Sequence, residues 1–332
     1  MKLLVPINNG QSVLAFYKAG ANEFYAGFHD KAWSKRFGEF ADLNRMSGFG
    51  NRANSFTLDE LEELSVVISH IDAKLFVTLN ANCYSEEQLR FIERNYFPVF
   101  DRMALGGVII PDLACASLAA RHGLPVVAST MCGIYNSDIA REYVSVGVTR
   151  IILPRDLTLQ EIHSIVNACP GIEYEVFHMR NGCVFSDSHC LGLHRPECGA
   201  LCSFIRYRDE TTLTHRRSFY DLHDIESNAH FYNRYFHIEA CAMCALYDFL
   251  NAGITSLKIV GRADEANAIA RDILLTSKNI AIASSCSSRD EYLVKMDLGM
   301  DFPQKCRYGF SCYYPDIRWG DCFKNQDTSI GL

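Results

Sequence analysis

The sequence predicts an α/β fold in which eight parallel strands close into a (β/α)8, TIM-like barrel with a cysteine-rich insertion between strands seven and eight. Three observations carry this. Eight short runs rich in Val, Ile, Leu and Phe recur before Gly261, as strands buried on both faces should. The segments between them repeat their apolar residues at helical spacing, and strands alternating with helices imply a parallel sheet. The 332 residues suit one large barrel. A doubly wound open sheet is the alternative, but no G-x-G-x-x-G follows the first run.

The runs fall at 3–6, 23–27, 75–79, 107–111, 125–129, 150–153, 173–177 and 256–260. Thr57-Leu-Asp-Glu-Leu-Glu-Glu-Leu64 reads as a helix start, with a capping residue, an acidic first turn and leucines on one face. Segments 112–121, 137–146 and 157–168 read the same way. Between Cys183 and Ala240 the pattern breaks into a long polar stretch rich in His, Arg and Asp. That length marks a functional or disordered loop, and its place after the seventh strand puts it on the C-terminal face of the barrel. The expected organisation is a barrel over 1–282, including an insertion at 179–244, and an irregular extension over 283–332.

Composition narrows the function classes. A net charge of −7 does not suit a surface that grips nucleic acid as a whole, although it permits a local basic patch. No tract approaches the ~20 apolar residues of a membrane span. The first eleven residues read as a strand rather than a leader, so a cytoplasmic location is expected, where disulfides are rare. Fourteen cysteines therefore need another explanation. Six of them, Cys183, Cys190, Cys198, Cys202, Cys241 and Cys244, fall in the insertion, where the ends of two neighbouring strands converge: Cys183 comes just past strand seven and Cys241 reads as opening the helix that leads to strand eight. Thiolates are soft ligands that suit zinc or an iron–sulfur cluster. The C-x-x-C of Cys241 and Cys244 could be half of a zinc site, but no second C-x-x-C completes it. Spacing alone leaves zinc, iron–sulfur and metal-free buried thiols open.

The sequence resembles the collagenase-like peptidase family U32 over most of residues 1–282. The resemblance is carried by Leu3-Leu-Val-Pro6 with Ala19-Gly-Ala-Asn-Glu-Phe-Tyr-Ala-Gly27, by Arg52-Ala-Asn-Ser-Phe-Thr57, and by Arg150-Ile-Ile-Leu-Pro-Arg-Asp-Leu-Thr158. The 175–190 stretch and Ala252-Gly-Ile-Thr-Ser-Leu-Lys-Ile-Val-Gly-Arg262 are its most specific parts. The resemblance implies an oxygen-independent hydroxylase-type enzyme or hydroxylase subunit acting on RNA or a quinone precursor, with prephenate as oxygen donor. It also implies a 4Fe–4S cluster on Cys183, Cys190, Cys202 and Cys241, with Cys198 and Cys244 as extra thiols, and allows a hetero- or homodimer. A peptidase or a non-catalytic cluster-carrying partner are the alternatives; no H-E-x-x-H or G-x-S-x-G supports proteolysis. This chain departs from the family at Arg180-Asn181-Gly182, Asp187-Ser188 and Val260.

Candidate pocket residues are expected just past strand ends: Arg52, Asn80, Ser129, Arg155, Glu175 and Lys258. Of these Arg52, Arg155, Glu175 and Lys258 are the catalytic candidates, and the two arginines suit a carboxylate such as that of prephenate. The plain alternative for each is a residue that satisfies loop backbone. His178, His189 and His194 read as loop histidines near the cysteines. Cys306, Cys312 and Cys322 could form a second, irregularly spaced metal site.

Overall fold

The computed structural model describes residues 1–38, 41–46, 52–182, 186–190, 194–195, 199–200, 240–299 and 312–317. Eight parallel strands close into one barrel. They are β1 (Lys2–Pro6), β2 (Glu23–Ala26), β3 (Lys74–Thr78), β4 (Leu105–Ile110), β5 (Val126–Ala128), β6 (Val148–Ile152), β7 (Glu173–Met179) and β8 (Ser256–Ile259). Each strand pairs with its neighbours in chain order, and β8 closes the ring on β1 with Lys2 opposite Ser256 and Leu4 opposite Lys258. Every expected strand is present, with ends moved by one or two residues.

The connecting helices start where capping chemistry places them. The helix α1 (Ser12–Ala19) follows β1, and α2 (Lys31–Phe37) and α3 (Leu58–Ser69) lie between β2 and β3. Thr57 and Glu60 form a reciprocal capping box on α3, Ser85 and Gln88 one on α4 (Glu86–Asn95), and Thr158 and Glu161 one on α8 (Leu159–Ala168). Between these lie α5 (Phe97–Phe100), α6 (Leu113–His122) and α7 (Ser137–Ser145). The ring is completed by α9 (Leu246–Asn251) and α10 (Ala266–Ser285).

The extension is more regular than its sequence suggests. α10 runs past the expected boundary at 282, and α11 (Arg289–Lys295) follows, capped by Ser288 and stitched by a Lys295–Glu291 pair one turn apart. Residues 312–317 return to the barrel: Tyr314 is enclosed edge-on against Phe249, and Asp316 accepts from the Leu159 N–H at the start of α8.

At its N-terminal end the barrel interior is ionic rather than hydrocarbon. Lys2, Arg150 and Lys258 face Glu23, Glu173 and Glu175. Arg150 donates to both oxygens of Glu23 at 2.7 Å, to Glu173 at 2.7 Å through Nε and to Glu175 at 3.3 Å. Lys258 donates to Glu175 at 2.9 Å, Ser256 to Glu23 at 2.9 Å, and Lys2 pairs with Glu173. The Arg150 guanidinium sits 4.5 Å over the Phe76 ring, which has room because a Cβ at Gly106 would lie 2.6 Å from it. Three cations balance three carboxylates, so the buried charges are tolerated by mutual pairing.

Candidate active site at the barrel mouth

The loops that leave the C-terminal ends of the strands converge on Asp187. Arg45 donates to one carboxylate oxygen at 2.9 Å and Arg155 to the other at 2.8 Å. Burial would push the Asp187 carboxyl up, but the two guanidinium groups outweigh it and hold it well below the usual carboxylate range. Arg155 also donates to the Asn181 carbonyl at 2.7 Å and lies 4.1 Å over the Phe177 ring. Asp187 in turn fixes Cys190, whose N–H donates to the Asp187 carbonyl at 3.1 Å while its own carbonyl accepts from Asn82 at 2.7 Å. Ser186 is bonded to Tyr135. The short turn that carries Cys190 is thus fastened from four loops, those after β2, β3, β5 and β6.

The turn that leaves β7 is strained. Arg180 and Asn181 have φ of +69° and +48°, a left-handed conformation that costs non-glycine residues energy. Asp264, just past β8, accepts from both side chains at 3.0 Å. Arg180 also pairs with Asp272 at 2.9 Å, and its carbonyl accepts from the Tyr313 hydroxyl at 2.5 Å. The departure from the family at 180–182 therefore has a defined structural role: two polar side chains lock a bend that small residues would leave loose.

Cys241 does not open a helix as its sequence suggests. It forms a backbone bridge to Met179 on one side and to Cys312 on the other, because Arg180 and Ala242 bond across to Ala240 and His178 at 2.7 and 2.8 Å. The helical turn begins only at Met243. Cys244 is buried and lies against the Ile317 carbonyl at 3.8 Å. The returning tail thus touches the same end of the barrel as Cys241, with Tyr313 stacked on Phe177 at 5.9 Å.

Across the barrel axis lies Arg262, only 6% exposed. It reaches from the end of β8 to Asn54 at 2.7 Å, Thr78 at 3.2 Å and the Arg45 carbonyl at 3.2 Å. Glycine at 27 is required for this reach, since a Cβ there would lie 2.4 Å from the guanidinium and 2.0 Å from Asn54. Burial, with Arg45 adding repulsion, pushes the Arg262 pKa down to about 10, although Tyr25 opposes. Beneath it, the Lys258 ammonium sits 4.3 Å over the Tyr25 ring while paired with Glu175; burial lowers its pKa against that pairing.

Of the expected catalytic residues, Arg155 lies at this mouth, Glu175 and Lys258 lie deeper, inside β7 and β8 and bonded into the ionic set rather than past the strand ends, and Arg52 is exposed. Asn80 braces the Arg45 backbone at 3.3 Å and Ser129 caps a turn, so both serve loop backbone. His178 is fully enclosed on β7, with neither ring nitrogen bonded among the described residues, and His189 is exposed. His194 lies in a short antiparallel ribbon of His194–Arg195 with Gly199–Ala200. Of the four expected cluster thiols, Cys190 and Cys241 are placed, both half-buried beyond the end of β7, while Cys183 and Cys202 lie outside the described residues, as do Cys198, Cys306 and Cys322. The described residues alone gather no group of three His, Cys, Asp or Glu side chains able to hold a metal. The donors that are described are thiols, which fit a soft metal.

Arg45, Tyr25, Asp187, Arg262 and Asp264 were not singled out by the sequence. Arg262 ends the 252–262 signature and Asp187 sits in a departure from the family, so both carried a signal. Arg45 lies in a polar loop with no period and carried none.

A family model described as "Peptidase family U32" matches residues 8–320. The chain is 26% identical over 197 residues to tRNA hydroxylation protein P of Helicobacter pylori (strain J99), covering 58% of this chain and 42% of that protein. It is 28% identical over 227 residues to the 23S rRNA 5-hydroxycytidine C2501 synthase of Escherichia coli K12, covering 65% and 32%. It is 24% identical over 164 residues to a collagenase of Porphyromonas gingivalis, covering 49% and 35%. The chain thus spans between about a third and two fifths of the length of these relatives. No helix among the described residues is long and apolar enough to cross a membrane.

Proposed function

The chain belongs to peptidase family U32, and from that premise we propose that it is an oxygen-independent hydroxylase-type enzyme holding a 4Fe–4S cluster on Cys183, Cys190, Cys202 and Cys241, with prephenate as oxygen donor. Two relatives named for tRNA hydroxylation and for 5-hydroxycytidine synthesis in 23S rRNA support the reaction class. The observation that carries the reading is the fastening of Cys190: Asp187, clamped by Arg45 and Arg155, holds this thiol at a cationic barrel mouth above the Lys258–Glu175 pair. A thiol that only filled a core would not need two arginines to hold its turn.

When bound on four thiolates, the cluster would supply one-electron redox chemistry, and a Lewis-acidic iron only where one of the four thiolates leaves its iron open. The chain's own residues do the rest. Arg155 and Arg45 hold Asp187 ionised, which keeps the Cys190 turn in one place. Lys258 is neutralised by Glu175 and packed on Tyr25, so it can donate a hydrogen bond to an anionic donor entering from above without leaving an unpaired buried charge.

The test is anaerobic purification of the full chain with iron and sulfide analysis and a visible spectrum. Alanine at Cys183, Cys190, Cys202 or Cys241 should each lower iron and bleach the thiolate-to-iron charge-transfer band, whereas alanine at Cys83, Cys115 or Cys169 should not. Stoichiometric zinc that iron and sulfide cannot replace would overturn the cluster. Thiol-dependent cleavage of a peptide library, indifferent to loss of metal, would favour the peptidase reading.

A further inference from the structure

We propose that Arg262 is a ligand-binding residue: its guanidinium receives the carboxylate of a small organic anion at the centre of the barrel mouth. The argument starts from an imbalance. Arg262 is a buried cation whose partners among the described residues, Asn54, Thr78 and the Arg45 carbonyl, are all neutral. A charge taken out of water without a counter-charge is costly, and proteins rarely keep one without a use for it.

The nearby carboxylates are already committed. Asp187 is shared by Arg45 and Arg155, Glu175 by Lys258 and Arg150, and Asp264 by Arg180 and Asn181. The N-terminal half of the barrel is neutral as a set, three cations against three carboxylates, so it brings no net negative charge to the mouth. Arg45 adds a second cation, because its backbone carbonyl touches Arg262 while its side chain competes for Asp187. The lowered pKa of Arg262 agrees with this picture: burial and Arg45 press on its charge, and only Tyr25 opposes them.

Geometry favours a carboxylate over a bulkier anion. A guanidinium has five N–H donors. Nη1 serves Asn54 and Thr78, and Nη2 serves the Arg45 carbonyl, so Nε–H and one Nη2–H are uncommitted among the described residues. These two nitrogens share one edge of the group, the edge that accepts two carboxylate oxygens in parallel. Asn54 and Thr78 fix the rest of the guanidinium, and the bare backbone at Gly27 leaves it space, so the fork is held ready before a ligand arrives.

The inference deepens the proposed function by naming which residue takes the anionic group, and it rests on that reading only for the identity of the natural ligand. The test is binding of prephenate, malonate and inorganic phosphate to the full chain by calorimetry, with Arg262→Met and Arg262→Lys beside the unaltered protein. The carboxylates should bind and raise the melting temperature. Arg262→Met should weaken them by roughly 10- to 100-fold, as expected for loss of a charged hydrogen-bonded pair. Arg262→Lys should bind at an intermediate level and retains a cation in case the methionine variant unfolds. Equal affinity in all three proteins would overturn the proposal, and so would binding of phosphate in preference to the carboxylates. Loss of the cluster or of hydroxylation with Arg262-dependent carboxylate binding intact would instead remove the hydroxylase reading and leave this one standing.

Discussion

Arg150 is the residue on which the barrel's interior charges depend. Among the described residues it is the one that pairs with all three of Glu23, Glu173 and Glu175. Arg150→Met keeps the bulk over Phe76 but leaves Glu23 enclosed without its main counter-charge. We expect a loss of about 3–5 kcal/mol, the cost of removing one partner from a buried pair, read as a lower urea midpoint. A midpoint within error of the unaltered protein would mean that the carboxylates take up protons or water instead. His178 gives the second prediction at this scale. Burial pushes its pKa down to about 3, so the folded state stays unprotonated where the unfolded chain, near 6.5, binds a proton. The unfolded state then holds more protons below that pH, and stability falls as pH drops from about 6.5 towards 3. His178→Leu should lose stability less steeply than the unaltered protein between pH 7 and 5 in urea titrations; parallel curves would sink the assignment.

At the scale of elements, the bend after β7 shows how a sequence departure becomes a device. Asp264→Ala removes the acceptor that holds Arg180 and Asn181 in left-handed geometry, at about 1–3 kcal/mol of strain per residue. It should raise protease cleavage next to residues 180–182, and Asn181→Gly added to it should recover much of the protection, because glycine adopts that φ freely. No recovery would mean that Asp264 acts through charge alone. The elements themselves were largely legible in the sequence. Buried strands write themselves as apolar runs, and Thr57 and Thr158 announce their helices through the acid three residues on. The site was legible where it sits on such elements or, as at Arg155 and Cys190, in segments that carry the family resemblance. Glu175 and Lys258 could be read from strands and from the family signature. The Arg45–Asp187 pair joins residues 142 apart in the chain, and such a pair exists only once the barrel has closed. Cys241 was misread as a helix start because the bridge that holds it comes from β7 and from the returning tail, neither of which is local.

At the scale of the whole molecule, closure is concentrated in one late segment. β8 pairs with β1 across some 254 residues; Ser256 satisfies Glu23, Lys258 satisfies Glu175, and Arg262 spans to the loop after β2 and to the end of β3. A fragment ending at residue 250 should therefore be insoluble or bind a hydrophobic dye strongly; a soluble, cooperatively unfolding fragment would contradict this. The consequence reaches back to synthesis. A chain made from its N-terminus onward carries the first seven strands as an open sheet with Glu23 and Glu175 short of partners until β8 has left the ribosome. Closure of the barrel waits on its eighth strand, so a slow stretch of translation just before residue 256 should lengthen the interval in which the half-made barrel is open to aggregation.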